Sequence, residues 1–68
     1  MLLTEIGLQI KARRETLRIT QPDLAEMAGI SVNTLYKIER GQANPTIRIL
    51  NKLFVVLGID FSLQTKNT

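Results

Sequence analysis

Asn33, Tyr36, Lys37 and Arg40 stand at i, i+3, i+4 and i+7, so on a helix they share one polar face. Their chemistry is that of reading a nucleic-acid duplex. The Asn33 amide has a donor and an acceptor and can hold adenine bidentately. Lys37 can reach guanine O6 and N7, and Val32 can meet a thymine methyl. An approach led by the helix N-terminus brings Ser31, Val32, Asn33 and Lys37 nearest the base edges. Thr34, Tyr36 and Arg40 suit phosphates, which position a protein without reading sequence. Gln21, at the start of the preceding helix, and Gln42 and Asn44, in the following loop, can bind the backbone too. Any one of these side chains alone is ordinary solvated surface. The frame that carries them gives the set its meaning.

That frame is Gln21 to Arg40, QPDLAEMAGISVNTLYKIER. Two short helices meeting at a sharp turn need a small residue where they approach and a residue that tolerates positive φ between them. They also need apolar residues that lock the second helix to the rest of the domain. Ala25, Gly29, Leu35 and Ile38 fall where those needs arise. The spacing is that of a helix-turn-helix, which presents its second helix to the major groove of DNA.

Four helices can be read around this unit. The first runs from about Thr4 to Leu17, with Ile6, Ile10, Arg14 and Leu17 at helical spacing and Arg14 on an otherwise apolar stripe. Thr20 caps the second, with Asp23 at the capping-box position and Pro22 in the first turn, where its missing N–H costs nothing. That helix runs to Ala28 and stops at Gly29. Ser31 caps the third, which extends to Arg40 and ends at Gly41. After the loop GQANP, Thr46 caps the fourth, which reaches Leu57 and is closed by Gly58.

Beyond Gly58 the period changes to two. Ile59, Phe61 and Leu63 alternate with Asp60, Ser62 and Gln64, which predicts a short strand over about residues 59–63. A lone strand has no partner in an all-helical chain, and pairing with a symmetry mate resolves this. The fourth helix points the same way. Ile47, Leu50, Phe54 and Leu57 form one apolar stripe, enough to close the core, and Ile49, Leu53 and Val56 form a second. The second stripe needs a partner, or else the helix is buried more deeply than usual. The candidate dimer interface is therefore Ile49, Leu53, Val56, Ile59, Phe61 and Leu63.

Arg14 and Glu39 lie on the inward sides of their helices, where an unpaired charge is costly, so a mutual salt bridge between the first and third helices is expected. Asp23 and Glu26, at i and i+3, complement a helix N-terminus facing water better than they would hold a cation.

Composition bounds the rest. Sixty-eight residues make one domain over 1–68, with a helix-turn-helix unit at 21–40, and a core this small leans on a partner subunit. The chain has no cysteine and no histidine, which removes disulfides and the commonest zinc frameworks. No cofactor and no metal site are expected. With no clustered carboxylates and no phosphate-cradling glycine loop, nothing is poised for acid–base or nucleophilic chemistry, and an enzyme is not expected. No apolar run approaches membrane-spanning length and no signal peptide precedes the domain, so a soluble, cytoplasmic protein is expected. The net charge of +3, from nine Lys/Arg against six Asp/Glu, is spread over helices rather than gathered in a tail. Positioned cations of that kind fit groove docking better than bulk condensation on a polyanion. The chain begins at Met1 and ends without an obvious stop signal, so a domain cut from a longer protein stays open.

With these residues in view, the chain resembles the lambda-repressor-like (XRE or Cro type) helix-turn-helix family over about Ile6 to Ile59. The segments that carry the likeness are IGLQIKARR, ITQPDLAEMAGIS, TLYKIERGQANPT and LNKLFVVLGI. The resemblance implies that Gln21 clamps a phosphate, that Ser31 to Asn33 with Lys37 read bases, and that Arg14 pairs with Glu39. The Arg13–Arg14 pair, the YKIERG run and the alternating end look like small regulators related to HipB-type antitoxins. Those proteins dimerise, partly through a C-terminal strand, and repress their own operon, and some bind a HipA-like toxin. Three departures stand out: Arg18 where glycine is usual, Val32 where a polar residue often contacts bases, and no fifth helix.

The expectation is an all-α, four-helix, lambda-repressor-like domain with a short C-terminal strand paired across a homodimer. It would act as a transcriptional regulator, a repressor binding a palindromic operator in double-stranded DNA. The alternative is an antitoxin that neutralises a HipA-like toxin and autorepresses its operon.

Overall fold

In the computed structural model, which describes residues 2–60, the chain folds as α1 (Leu3–Thr16), α2 (Gln21–Ala28), α3 (Val32–Glu39) and α4 (Ile47–Leu57). The second to fourth helices start as their sequences require. Thr20 Oγ1 accepts the Asp23 N–H at 3.2 Å, Ser31 Oγ accepts the Thr34 N–H at 3.0 Å, and Thr46 Oγ1 accepts the Ile49 N–H at 3.2 Å. Each satisfies one backbone donor that the helix itself leaves unpaired.

All four helices end alike. An N–H two residues past the last turn reaches back to a carbonyl five residues earlier: Ile19 to Arg14 at 3.1 Å, Ile30 to Ala25 at 2.9 Å, Gln42 to Lys37 at 2.8 Å and Ile59 to Phe54 at 2.9 Å. This closure requires one residue in the left-handed region. Gly29, Gly41 and Gly58 supply it with φ of 70°, 72° and 68°. After α1 the same place is held by Arg18, at φ 57°, where a Cβ costs about 1–2 kcal/mol. Arg18→Gly should therefore stabilise the domain by roughly 0.5–1 kcal/mol, the relief of strain exceeding the entropy that glycine adds to the unfolded chain. A melting temperature unchanged or lowered by the substitution would reject this.

The core is built from Ile10 of α1, Leu24, Ala25 and Ala28 of α2, Leu35 and Ile38 of α3, and Leu50, Leu53, Phe54 and Leu57 of α4. Two features of α4 differ from the stripes read in its sequence. Ile47 is 61% exposed and takes no part in the core, whereas Leu53 is fully buried within it. The stripe that closes the core is thus Leu50, Leu53, Phe54 and Leu57, and Leu53 offers no surface to a second copy. A run with apolar residues all round leaves its rotation about the helix axis undetermined, and packing against α1 and α2 decides it. Ile49, Val56 and Ile59 are half-buried against the core. Ile59 and Asp60 are irregular in backbone, and Phe61 and Leu63, the rest of the expected strand and interface, lie outside the described residues.

Two contacts set the seat of α1. Gly7, buried on α1, lies where α1 crosses the C-terminal end of α3, and a Cβ there would stand 2.3 Å from the Ile38 carbonyl oxygen and 2.7 Å from that of Glu39. Only a residue without a side chain permits so close an approach. Farther along, Arg13 Nε donates to the Leu57 carbonyl at 2.9 Å, placing a cation on the last turn of α4 where unpaired carbonyls and the helix dipole favour one.

Candidate nucleic-acid interface

Leu35 and Ile38 anchor α3 in the core and turn its other side to solvent. On that side Ser31, Val32, Asn33, Tyr36, Lys37 and Arg40 are all exposed. Thr34 is half-buried, and its Oγ1 accepts the Ser31 hydroxyl at 2.8 Å. Ser31 therefore spends its proton on Thr34 and one lone pair on the cap, and Val32, Asn33 and Lys37 are the freer of the four expected base readers. Val32, 45% exposed in the first turn, presents an unsatisfied apolar surface at the leading end of the helix.

The phosphate set divides in two. Gln21, Tyr36 and Arg40 come together in one cleft between α1 and α3, and the Arg40 guanidinium lies 5.3 Å from the centroid of the Tyr36 ring. At that distance the cation is drawn to the ring face and the two side chains brace each other. Gln42 and Asn44 are exposed in the loop after α3 but do not line the cleft. Thr4, Leu8 and Lys11 of α1 do line it, and they were not among the residues singled out from sequence. The signal was present: residues 4, 8 and 11 repeat at i, i+4 and i+7, and Lys11 lies one turn ahead of the inward Arg14. The cleft thus has cations on opposite walls, Lys11 from α1 and Arg40 from α3.

Glu39 closes the cleft at its base. Its side chain is 2% exposed, and Arg14, at 11%, meets it with Nε on Oε2 at 2.7 Å and Nη2 on Oε1 at 3.0 Å. Arg14 Nη1 also donates to the Ile19 carbonyl at 3.0 Å, tying in the chain just past α1. The hydrogen bond to Glu39 holds the Arg14 pKa above its ordinary value, with burial opposing. Gln21 Nε2 adds a third donor to the same carboxylate, at 2.9 Å from Oε1. Gln21 is therefore half-buried and partly engaged within the protein, a link that its place at the head of α2 did not disclose. Among the described residues no buried side-chain polar atom lacks a hydrogen-bond partner. Nor, among them, do three or more Asp or Glu gather as a metal site would need. No described helix is long and apolar enough to cross a membrane.

This arrangement has counterparts among known proteins. A helix-turn-helix family profile (HTH_3) matches residues 10–64. The chain belongs to the XRE-type helix-turn-helix family. Membership carries the coarse function with it, a DNA-binding unit of transcriptional regulation. The immunity repressor protein of Bacillus phage phi105 is 40% identical over 57 residues, which cover 84% of this chain and 40% of that repressor. The chain therefore spans less than half the length of that relative. Among solved structures, the restriction-modification controller protein C.AhdI from Aeromonas hydrophila superposes with a TM-score of 0.82 at 28% identity. That match covers 85% of this chain and 88% of C.AhdI. The clp gene regulator ClgR from Corynebacterium glutamicum gives a TM-score of 0.83 at 25% identity, over 87% of this chain and 63% of ClgR. α2, the Gly29 turn and α3 all fall within the matched residues 10–64.

Proposed function

We propose that this domain represses transcription by binding a short palindromic operator as a homodimer in the cytoplasm. The observation that carries the reading is the exposed face of α3, with Val32, Asn33 and Lys37 free toward solvent while Leu35 and Ile38 lock the helix from behind. Base reading falls to those three residues with Ser31. Backbone anchoring falls to Gln21, Tyr36, Arg40 and Lys11 around the cleft, to Thr34, and to Gln42 and Asn44 in the loop. The dimer is supported by apolar surface left on and after α4. Val55 is 70% exposed and Ile47 61%, next to half-buried Ile49, Val56 and Ile59. Two copies related by a two-fold axis would set their α3 helices into half-sites about one helical turn, or 10 bp, apart. The names of the relatives, an immunity repressor and gene regulators, weigh toward regulation rather than toxin neutralisation.

The roles separate by experiment. Lys37→Ala should lose roughly 1–3 kcal/mol of binding on the preferred site and relax one base position, whereas Gln21→Ala should weaken specific and random duplexes alike. Binding isotherms on both kinds of DNA at fixed salt decide the matter. Equal losses for both variants on both duplexes would defeat the division.

A further inference from the structure

Gln21 lines the cleft with its side-chain amide turned toward a carboxylate. An ionised carboxylate can only accept hydrogen bonds, so the amide must present its NH2 group to Glu39, and the reverse orientation would set two acceptors face to face. One N–H of Gln21 is spent on Glu39 Oε1 at 2.9 Å, and the second belongs to the same NH2 group, on a side chain that lines the cleft together with Lys11, Tyr36 and Arg40. Glu39 is itself immobile, buried and held by two donors of Arg14.

We infer that Glu39 is a positioning residue for DNA binding as well as half of a structural ion pair. It fixes the polarity of the Gln21 amide so that Gln21 meets a phosphate as a donor. This rests on the reading of Gln21 as a backbone contact. A chain of hydrogen-bonded groups runs from Arg14 of α1, through Glu39 of α3, to Gln21 of α2, so the register of all three helices sets the amide that Gln21 offers. A free glutamine would populate both amide orientations and would spend binding energy on choosing one.

Glu39→Gln keeps the shape of the side chain and can still accept from Arg14, but it no longer dictates which end of the Gln21 amide faces it. On a random duplex, Gln21→Ala should weaken binding about 10- to 150-fold, as the loss of one hydrogen bond to a charged group does. Glu39→Gln should give a loss of similar size, and the double variant should lose no more than either single one. The side-chain NH2 resonances of Gln21, read without DNA, should move in Glu39→Gln. Should that variant be unfolded at the assay temperature, the paired replacement of Arg14 and Glu39 by Met removes the anchor while keeping the volume, and it should show the same loss. Unaltered affinity in a folded Glu39 variant, losses that multiply in the double variant, or unmoved Gln21 resonances would each overturn the inference. A wild-type domain that binds no duplex would instead remove the functional reading beneath it, while moved Gln21 resonances would still show the amide to be held by Glu39.

Discussion

Glu39→Ala should lower the stability of this domain by about 3–5 kcal/mol, the range for removing one partner of a buried ion pair. The reason is what remains behind. Arg14, 11% exposed, would keep its charge but lose the acceptor for two of its three described hydrogen bonds, and Gln21 would lose its own. A core of this size contributes no more than ~3–5 kcal/mol, so the variant should be largely unfolded at room temperature. Replacing both Arg14 and Glu39 by Met should cost far less, because no unpaired charge is left inside. Urea titrations of the two variants at 25 °C make the comparison. A loss below about 1 kcal/mol for Glu39→Ala would mean that water reaches the pair and that it does not brace α1 against α3.

Gly7→Ala should be the most damaging single-methyl change in α1. The added Cβ would fall 2.3 Å from the Ile38 carbonyl oxygen, 2.7 Å from that of Glu39 and 2.9 Å from the Glu39 carbonyl carbon. These are backbone atoms, which cannot swing aside as the end of a side chain can. On helix propensity alone the substitution would gain about 1 kcal/mol. Overpacking against backbone costs about 3 kcal/mol and outweighs it, so a net loss near 2 kcal/mol or more is expected. The displacement should not stay local. The carbonyls that would be pushed away are those of Ile38 and Glu39, in the same last turn of α3 that carries Lys37, so DNA affinity should fall along with the melting temperature. A variant as stable as the parent would show that α1 does not cross α3 this closely.

Much of the fold was legible because its signals are local. Thr20, Ser31 and Thr46 each cap the helix their position announces, and Gly29, Gly41 and Gly58 each end one. A cap needs only a hydroxyl at one position, so a single chain displays it. The bracing of α3 was legible for a related reason: Leu35, Ile38 and Glu39 share one side of a short helix, and Arg14 is the conspicuous charge on an apolar stripe. What escaped the sequence depends on the approach of distant segments. Gly7 reads as one unremarkable glycine until α3 crosses it. Lys11 belongs to the cleft only because α1 lies beside α3, and Gln21 turned toward Glu39 because the carboxylate has an acceptor site that Arg14 leaves open. In α4, too many apolar residues leave the buried side undetermined: the stripes predict Leu53 at a dimer surface and Ile47 in the core, and packing enforces the reverse.

The same locality explains Arg18. Its position at a helix end predicts a left-handed residue, and the structure gives it φ 57° among three glycines with nearly the same angle. The strain is borne at an exposed turn directly after the Arg14 anchor.

Sequence-specific binding by this domain requires that α3 enter the major groove with Asn33 and Lys37 foremost. The most direct measurement is selection of bound sequences from a random duplex pool, carried out with the parent domain and with Asn33→Ala and Lys37→Ala. An enriched motif of two inverted half-sites about 10 bp apart, with one base position relaxed in each variant, is the expected outcome. A pool that stays random at every salt concentration, or a motif that neither substitution alters, would contradict it.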